Sequence, residues 1–188
     1  MDLVSKAINF AVKAHDGMRR KTSQSPYILH PLEAAVIVGT ITSDQNVISA
    51  AVLHDVVEDA GVKLEDIKKE FGNRVYELVL AETENKRENL PPEETWRVRK
   101  EESLQELKNT NDLDVLIVWL GDKLANMRAI YRDFKVEGDG LWQKFNQKDK
   151  NEQAWYYSTI VELTKRLSNT SAWIEYKTLT EIVFSKGE

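Results

Sequence analysis

The sequence predicts an all-α, single-domain protein. Three observations carry that prediction. Apolar residues recur at helical spacing in segment after segment. The strongest apolar run, Val47 to Val57, is hydrophobic on nearly every side, as a buried helix is. Only 8 glycines and 4 prolines punctuate 188 residues, which favours long helices with short connections. A chain of that length is most simply one domain, residues 1–188, with enough bulk for a substantial core.

Leu3, Ala7, Ile8, Ala11 and His15 share one face of a first helix. The segment Leu32, Ala34, Ala35, Val36, Ile37, Val38 follows His30-Pro31 and continues the apolar pattern. Ser43 or Asp44 is placed to cap the next helix, in which Val47, Ala50, Ala51, His54, Asp55 and Glu58 form one stripe. Residues 63–71 and 73–83 read as two short helices around Gly72. The polar stretch 84–95, with Pro91-Pro92, is the clearest loop, and a charged helix follows over 96–108. Asp112 opens an apolar helix. Leu113 to Leu120 alone would pass as a buried strand, but Leu124, Met127 and Ile130 extend the helical period. Residues 138–149 read as irregular and 152–167 as another helix; over 173–184 helix and strand are close in weight.

The chemistry concentrates in His54-Asp55-Val56-Val57-Glu58-Asp59. A histidine and carboxylates at the end of a core stripe are costly unless paired or bound to a metal. His30 stands before one apolar segment, and Asp122 follows another with Asn126 a turn further on. His30, His54, Asp55 and Asp122 make a two-imidazole, two-carboxylate set suited to a divalent ion with open positions for water and phosphate oxygens. Plainer roles exist for each. His30 alone would cap a turn, Asp122 alone would cap a helix or pair with Lys123 or Arg128, and Glu58 and Asp59 would merely end a helix, although acids at a C-terminus oppose its dipole. His15 reads as a packed structural histidine. Trp119, Trp142, Trp155, Tyr156 and Tyr157 read as packing aromatics rather than a base-stacking platform.

The order Ala14-His15-Asp16-Gly17 with Arg19-Arg20-Lys21, Pro26-Tyr27-Ile28-Leu29-His30-Pro31, Ala50 through Asp59, Phe71-Gly72 and Gly121 through Arg128 closely resembles the HD-domain hydrolase module of the RelA/SpoT homologues. The resemblance runs over about 3–165, and its His-Asp-x-x-Glu-Asp box is far narrower than a bare His-Asp pair. With no synthetase or regulatory domain in the sequence, the chain resembles a stand-alone small alarmone hydrolase. The resemblance implies a helical bundle around a central metal site and one manganese ion per chain. It also implies removal of the 3′-diphosphate from guanosine tetra- and pentaphosphate. The ligands would be His30, His54, Asp55 and Asp122. Glu58 and Asp59 would orient water and handle protons. Arg20 and Lys21 would flank the base and Asn126 would contact the ribose. Lys123 and Arg128 are further candidates for the phosphates; Lys86, Arg97, Arg99 and Lys100 are weaker ones, since charged runs are usually solvated faces.

Three departures from the family pattern bear on base preference. Thr22 to Ser25 alter the loop after Lys21, Gly121 stands where alanine is usual, and Ala129 stands where the bifunctional enzymes tend to have threonine. Two rivals stay open: an HD phosphohydrolase acting on adenosine alarmones, NADPH or simple nucleotides, and a non-catalytic nucleotide-binding HD module. The net charge of −5 argues against a general nucleic-acid binder and requires any phosphate site to be locally basic. No apolar stretch approaches the eighteen or so residues of a membrane span, and the N-terminus lacks the pattern of a signal peptide. The absence of cysteine excludes disulfides and zinc-thiolate sites and fits a cytoplasmic protein. The expected partner is a small nucleotide; the sequence sets no oligomeric state.

Overall fold

The structure, a computed structural model, describes residues 1–20, 22–87 and 89–185. Ten α-helices follow one another among the described residues. These are α1 (Leu3–Ala14), α2 (Leu29–Gly39), α3 (Gln45–Leu53), α4 (Val56–Ala60), α5 (Leu64–Phe71), α6 (Asn73–Glu82), α7 (Pro92–Asn109), α8 (Leu113–Glu137), α9 (Lys150–Leu163) and α10 (Ser171–Phe184). Short 3-10 segments, Gly138–Lys144 and Lys165–Leu167, join α8 to α9 and follow α9. Among the described residues the one extended pairing is an isolated bridge between Arg19 and Pro26, which closes the loop before α2.

α8 is the axis of the molecule. Its 25 residues span about 37 Å at 1.5 Å per residue, and α2, α3, α6 and α10 pack along it. Val115 to Asp122 are all buried, so this stretch is apolar all round because it is surrounded. Gly121 lets α2 come close: a Cβ there would stand 2.6 Å from Val38 Cγ2 and 3.0 Å from the Ala34 carbonyl oxygen. The approach brings His30, on the first turn of α2, beside Asp122 of α8.

Most boundaries follow local chemistry. Asp2, Asp44, Asp112, Asp149 and Thr170 each cap a helix by accepting a backbone N–H two or three residues on. The charged helix starts at Pro92 rather than 96, because a proline in the first turn has no N–H to lose there. The segment 173–184 is helical: Ala172, Tyr176, Thr180 and Val183 are buried at spacings of four, four and three. Part of 138–149 is ordered as the 3-10 segment Gly138–Lys144, and the helix expected over 152–167 ends at Leu163.

The main difference lies at the His-Asp box. The single helix expected through Glu58 is two helices, α3 ending at Leu53 and α4 starting at Val56, with His54 and Asp55 at the junction. Glu58 and Asp59 therefore sit in a first helical turn, where negative charge is favoured rather than opposed. α4 stops at Gly61, whose φ of 68° is the left-handed geometry glycine adopts without strain. No described helix is long and apolar enough to cross a membrane.

Candidate metal centre and substrate cavity

Three separated segments converge on one buried point. His30 Nε2 lies 3.0 Å from Asp122 Oδ1 and 3.4 Å from Asp55 Oδ2. His54 Nε2 lies 3.2 Å from Asp55 Oδ2 and 3.4 Å from Asp122 Oδ1. One donor atom each from His30, His54 and Asp122 falls within 4.8 Å of the others. The Nδ1 of His54 is 2.8 Å from the Ala51 carbonyl, which requires a proton on that nitrogen and leaves Nε2 as the atom that faces the carboxylates, free to exchange a proton for a cation. Nε2 is buried and makes no hydrogen bond. Burial opposes a charge on His54, yet Asp55 and Asp122 outweigh it and raise its pKa well above the usual value. Burial likewise opposes ionisation of Asp122, but Lys123 and His54 hold its pKa well below the carboxylate range. An orphaned imidazole nitrogen between two ionised carboxylates fits a divalent cation of the transition series.

A polar shell holds this set. Tyr27 Oη lies 2.8 Å from Asp55 Oδ2 and 2.5 Å from Asp59 Oδ2, so its one proton serves a pair of carboxylates. Lys86 donates to Asp59 Oδ1 at 2.5 Å and to the Glu58 carbonyl at 2.7 Å. The backbone N–H of Glu84 donates to Glu58 Oε1 at 2.6 Å. Burial, against that bond, pushes the Glu58 carboxyl up to about 7. Asn126 donates from Nδ2 to Asp122 Oδ1 at 2.7 Å and accepts from Arg20 Nη2 at 2.8 Å. Lys123 forms an ion pair with the second oxygen of Asp122 and lies over the Trp119 ring.

The metal set opens into a cavity of about 230 Å³ bordered by Glu58, Glu82, Glu84, Arg99, Lys100 and Lys123. A second cavity of about 400 Å³ adjoins it, with Arg20, Tyr27, Arg99, Lys100 and Asn126 common to both. Arg99 and Lys100 reach the site from α7, where they grip Glu84 at 2.9 and 2.6 Å. On sequence they are weaker candidates because a charged run is usually a solvated face; tertiary packing turns these two inward. Glu82, Glu84 and Tyr27 also border the site, though the sequence assigns them no role. Glu82 had a signal: it ends the apolar run Leu78 to Ala81 and is buried, and burial raises its pKa well above normal.

Not every candidate arrives. Arg128 forks onto Glu175 at 2.7 and 2.6 Å and lines neither cavity, so its guanidinium ties α8 to α10. Lys21 lies outside the described residues. His15 is buried and stacks on Tyr27 at 4.9 Å. Trp119, Trp142 and Tyr156 are buried packing aromatics, while Tyr157 also borders the larger cavity.

An all-helical chain with a His-Asp junction facing a distant aspartate defines the HD-domain class, and the HD-domain family model matches residues 7–150. The chain belongs to that family. Among relatives, a guanosine-3′,5′-bis(diphosphate) 3′-pyrophosphohydrolase of Aquifex aeolicus is 34% identical over 128 residues, 68% of this chain and 18% of the relative. A GTP pyrophosphokinase of Myxococcus xanthus is 30% identical over 132 residues, 69% of this chain and 17% of the relative. The chain thus spans less than a fifth of the length of these relatives. A solved metazoan orthologue of SpoT, described as hydrolysing ppGpp, superposes with a TM-score of 0.76 at 24% identity, covering 97% of this chain and 96% of that one.

Proposed function

We propose that this chain is a cytoplasmic metal-dependent hydrolase that removes the 3′-diphosphate from guanosine tetra- and pentaphosphate, with one manganese ion held by His30, His54, Asp55 and Asp122. The observation that carries the reading is the buried, hydrogen-bond-free Nε2 of His54 between two carboxylates, opening on a cavity rimmed by Arg20, Arg99, Lys100 and Lys123. The Aquifex relative, named for this reaction, supports the substrate class.

When bound, the ion supplies Lewis-acid neutralisation of phosphoryl charge and activation of water. The chain's own residues do the rest. Glu58, with its carboxyl near 7, accepts the proton of the attacking water. Asp59, fixed by Tyr27 and Lys86, orients that water. The water oxygen bonds to the phosphorus on the ribose 3′-oxygen, the 3′-oxygen–phosphorus bond breaks, the 3′-oxygen takes the proton that Glu58 accepted, and pyrophosphate is released. Asn126, braced by Arg20, faces the ribose, and the cationic rim holds the two diphosphates.

The test is a screen of purified protein plus manganese against guanosine and adenosine alarmones, NADPH and mononucleotides, with products identified. Pyrophosphate and guanosine 5′-diphosphate from guanosine tetraphosphate are the expected result. Release of orthophosphate from NADPH or mononucleotides, with alarmones untouched, would overturn the reading.

A further inference from the structure

The larger cavity runs along one face of α8, away from the metal set. Asn126, Ala129, Ile130 and Asp133 line it. At about 100° per residue, Asp133 returns to within roughly 20° of the direction of Asp122, three turns further on. Its Cα lies about 10 Å beyond that of Asn126 along the axis. That distance suits a nucleoside whose ribose faces Asn126 and whose base points down the helix.

Cations and an unpaired acid sit at different places on this wall. Arg20, Arg99 and Lys100 stand at the end shared with the metal cavity. Asp133 stands at the other, half-buried, and makes no hydrogen bond or ion pair among the described residues. A lone carboxylate repels phosphate, so this end takes something other than the diphosphates. Gln153 of α9 borders the same cavity and is 3% exposed. Its Nε2 donates to the Gln147 carbonyl at 2.9 Å, which leaves Oε1 as the uncommitted atom. Away from the metal cavity the wall therefore offers the Asp133 carboxylate and Gln153 Oε1 as uncommitted acceptors, beside Asn146, Lys144, which is paired with Glu137, and the methyl of Ala129.

We propose that Asp133, with Gln153 Oε1 on the wall of the same cavity, reads the base edge of the nucleotide and selects guanine over adenine; this rests on the nucleotide-hydrolase reading above. Guanine presents N1–H and its N2 amino group side by side, two donors that match the two oxygens of a carboxylate. Adenine presents a lone pair at N1, which faces the carboxylate unpaired. Hypoxanthine keeps N1–H and lacks the amino group, and ranks between them.

The experiment is titration calorimetry of the manganese-loaded protein with guanosine, inosine and adenosine 5′-diphosphates, set beside a pyrophosphate-release assay. Affinity falls in that order in the wild type. A hydrogen bond to a charged group contributes ~1.5–3 kcal/mol, or roughly 10–150-fold. Asp133→Ala therefore weakens guanosine diphosphate about tenfold or more and leaves adenosine diphosphate within about twofold. Asp133→Asn, which keeps one acceptor, falls between. Equal affinities for the three nucleotides in the wild type, or an equal loss for all three in Asp133→Ala, would overturn the proposal. The two readings separate cleanly. Base selectivity that depends on Asp133 without pyrophosphate release removes the hydrolase reading and keeps the base-edge assignment. Equal hydrolysis of guanosine and adenosine alarmones does the reverse.

Discussion

At the scale of single residues, Glu58 and Arg128 show how environment, not identity, sets a role. Burial raises the Glu58 carboxyl from 4.5 to about 7. A raised carboxyl favours the folded state while protonated. That contribution is complete below pH 4.5 and is lost as pH rises through about 7. A base must be ionised, so the rate moves the other way and climbs over the same window, with a bound cation drawing the midpoint toward its lower end. A kcat/KM profile of the manganese form is expected to show a rising limb between pH 4.5 and about 7. Glu58→Gln should abolish that limb and lower kcat by about 100-fold or more while metal content stays near one per chain. An emptied metal site in Glu58→Gln would instead make Glu58 a ligand. Arg128 gives the converse case. Its fork is spent on Glu175, with Glu33 at 3.4 Å. Arg128→Ala should leave KM within about twofold and cost about 1 kcal/mol or less in stability, as partly exposed ion pairs do. A large rise in KM would return Arg128 to the substrate.

At the scale of elements, the contact of α2 with α8 sets the distance between His30 and Asp122. Gly121→Ala puts a methyl 2.6 Å from Val38 Cγ2 and 3.0 Å from a carbonyl oxygen. Backbone cannot swing aside as a flexible side chain does, so the helices must part. Overpacking of this kind costs ~1–3 kcal/mol. The expected outcome is a lower Tm together with weaker manganese affinity, because the two ligands ride on the two helices. Gly121→Ala with Val38→Ala should recover part of both, and a melting curve with a metal titration checks it. The helices themselves were legible from apolar periodicity and caps, as with Asp44 and Asp112. The break after Leu53 was not. Residues 47–57 are apolar on nearly every side, so no change of period marks the junction, where His54 Nδ1 bonds back to the Ala51 carbonyl. The residues that converge, His30, His54 and Asp122 with Asp55 beside them, were legible by type and order. The inward reach of Arg99 and Lys100 was not, since it depends on how α7 lies across the site. The outward course of Arg128 was readable: six residues past Asp122, helical phase puts it about 120° from that aspartate.

At the scale of the whole molecule, four ionisable groups from α2, the α3–α4 junction and α8 meet where the layers of the bundle close. In the proposed reading an ion there would tie together helices already joined by apolar packing and the Arg128–Glu33 ion pair, so metal binding and folding stability would be one equilibrium. With free metal at about 100 times its dissociation constant, linkage contributes ~2.7 kcal/mol. For a domain of this size, that corresponds to roughly 5–10 °C in Tm. Chelation is therefore expected to lower Tm by that amount as well as abolish turnover, and manganese should restore both better than magnesium, because imidazole nitrogen suits a transition ion better than a hard one. The metal-free protein carries its own pH signature. Asp122 has a depressed pKa, so its contribution is present above 3.8 and is lost as pH falls below that value. The bound ion should steepen that acid loss, since protonating the ligand also expels the metal. A Tm that is indifferent to chelator at neutral pH, measured alongside unchanged turnover, would place the ion outside the bundle and sink the metal assignment.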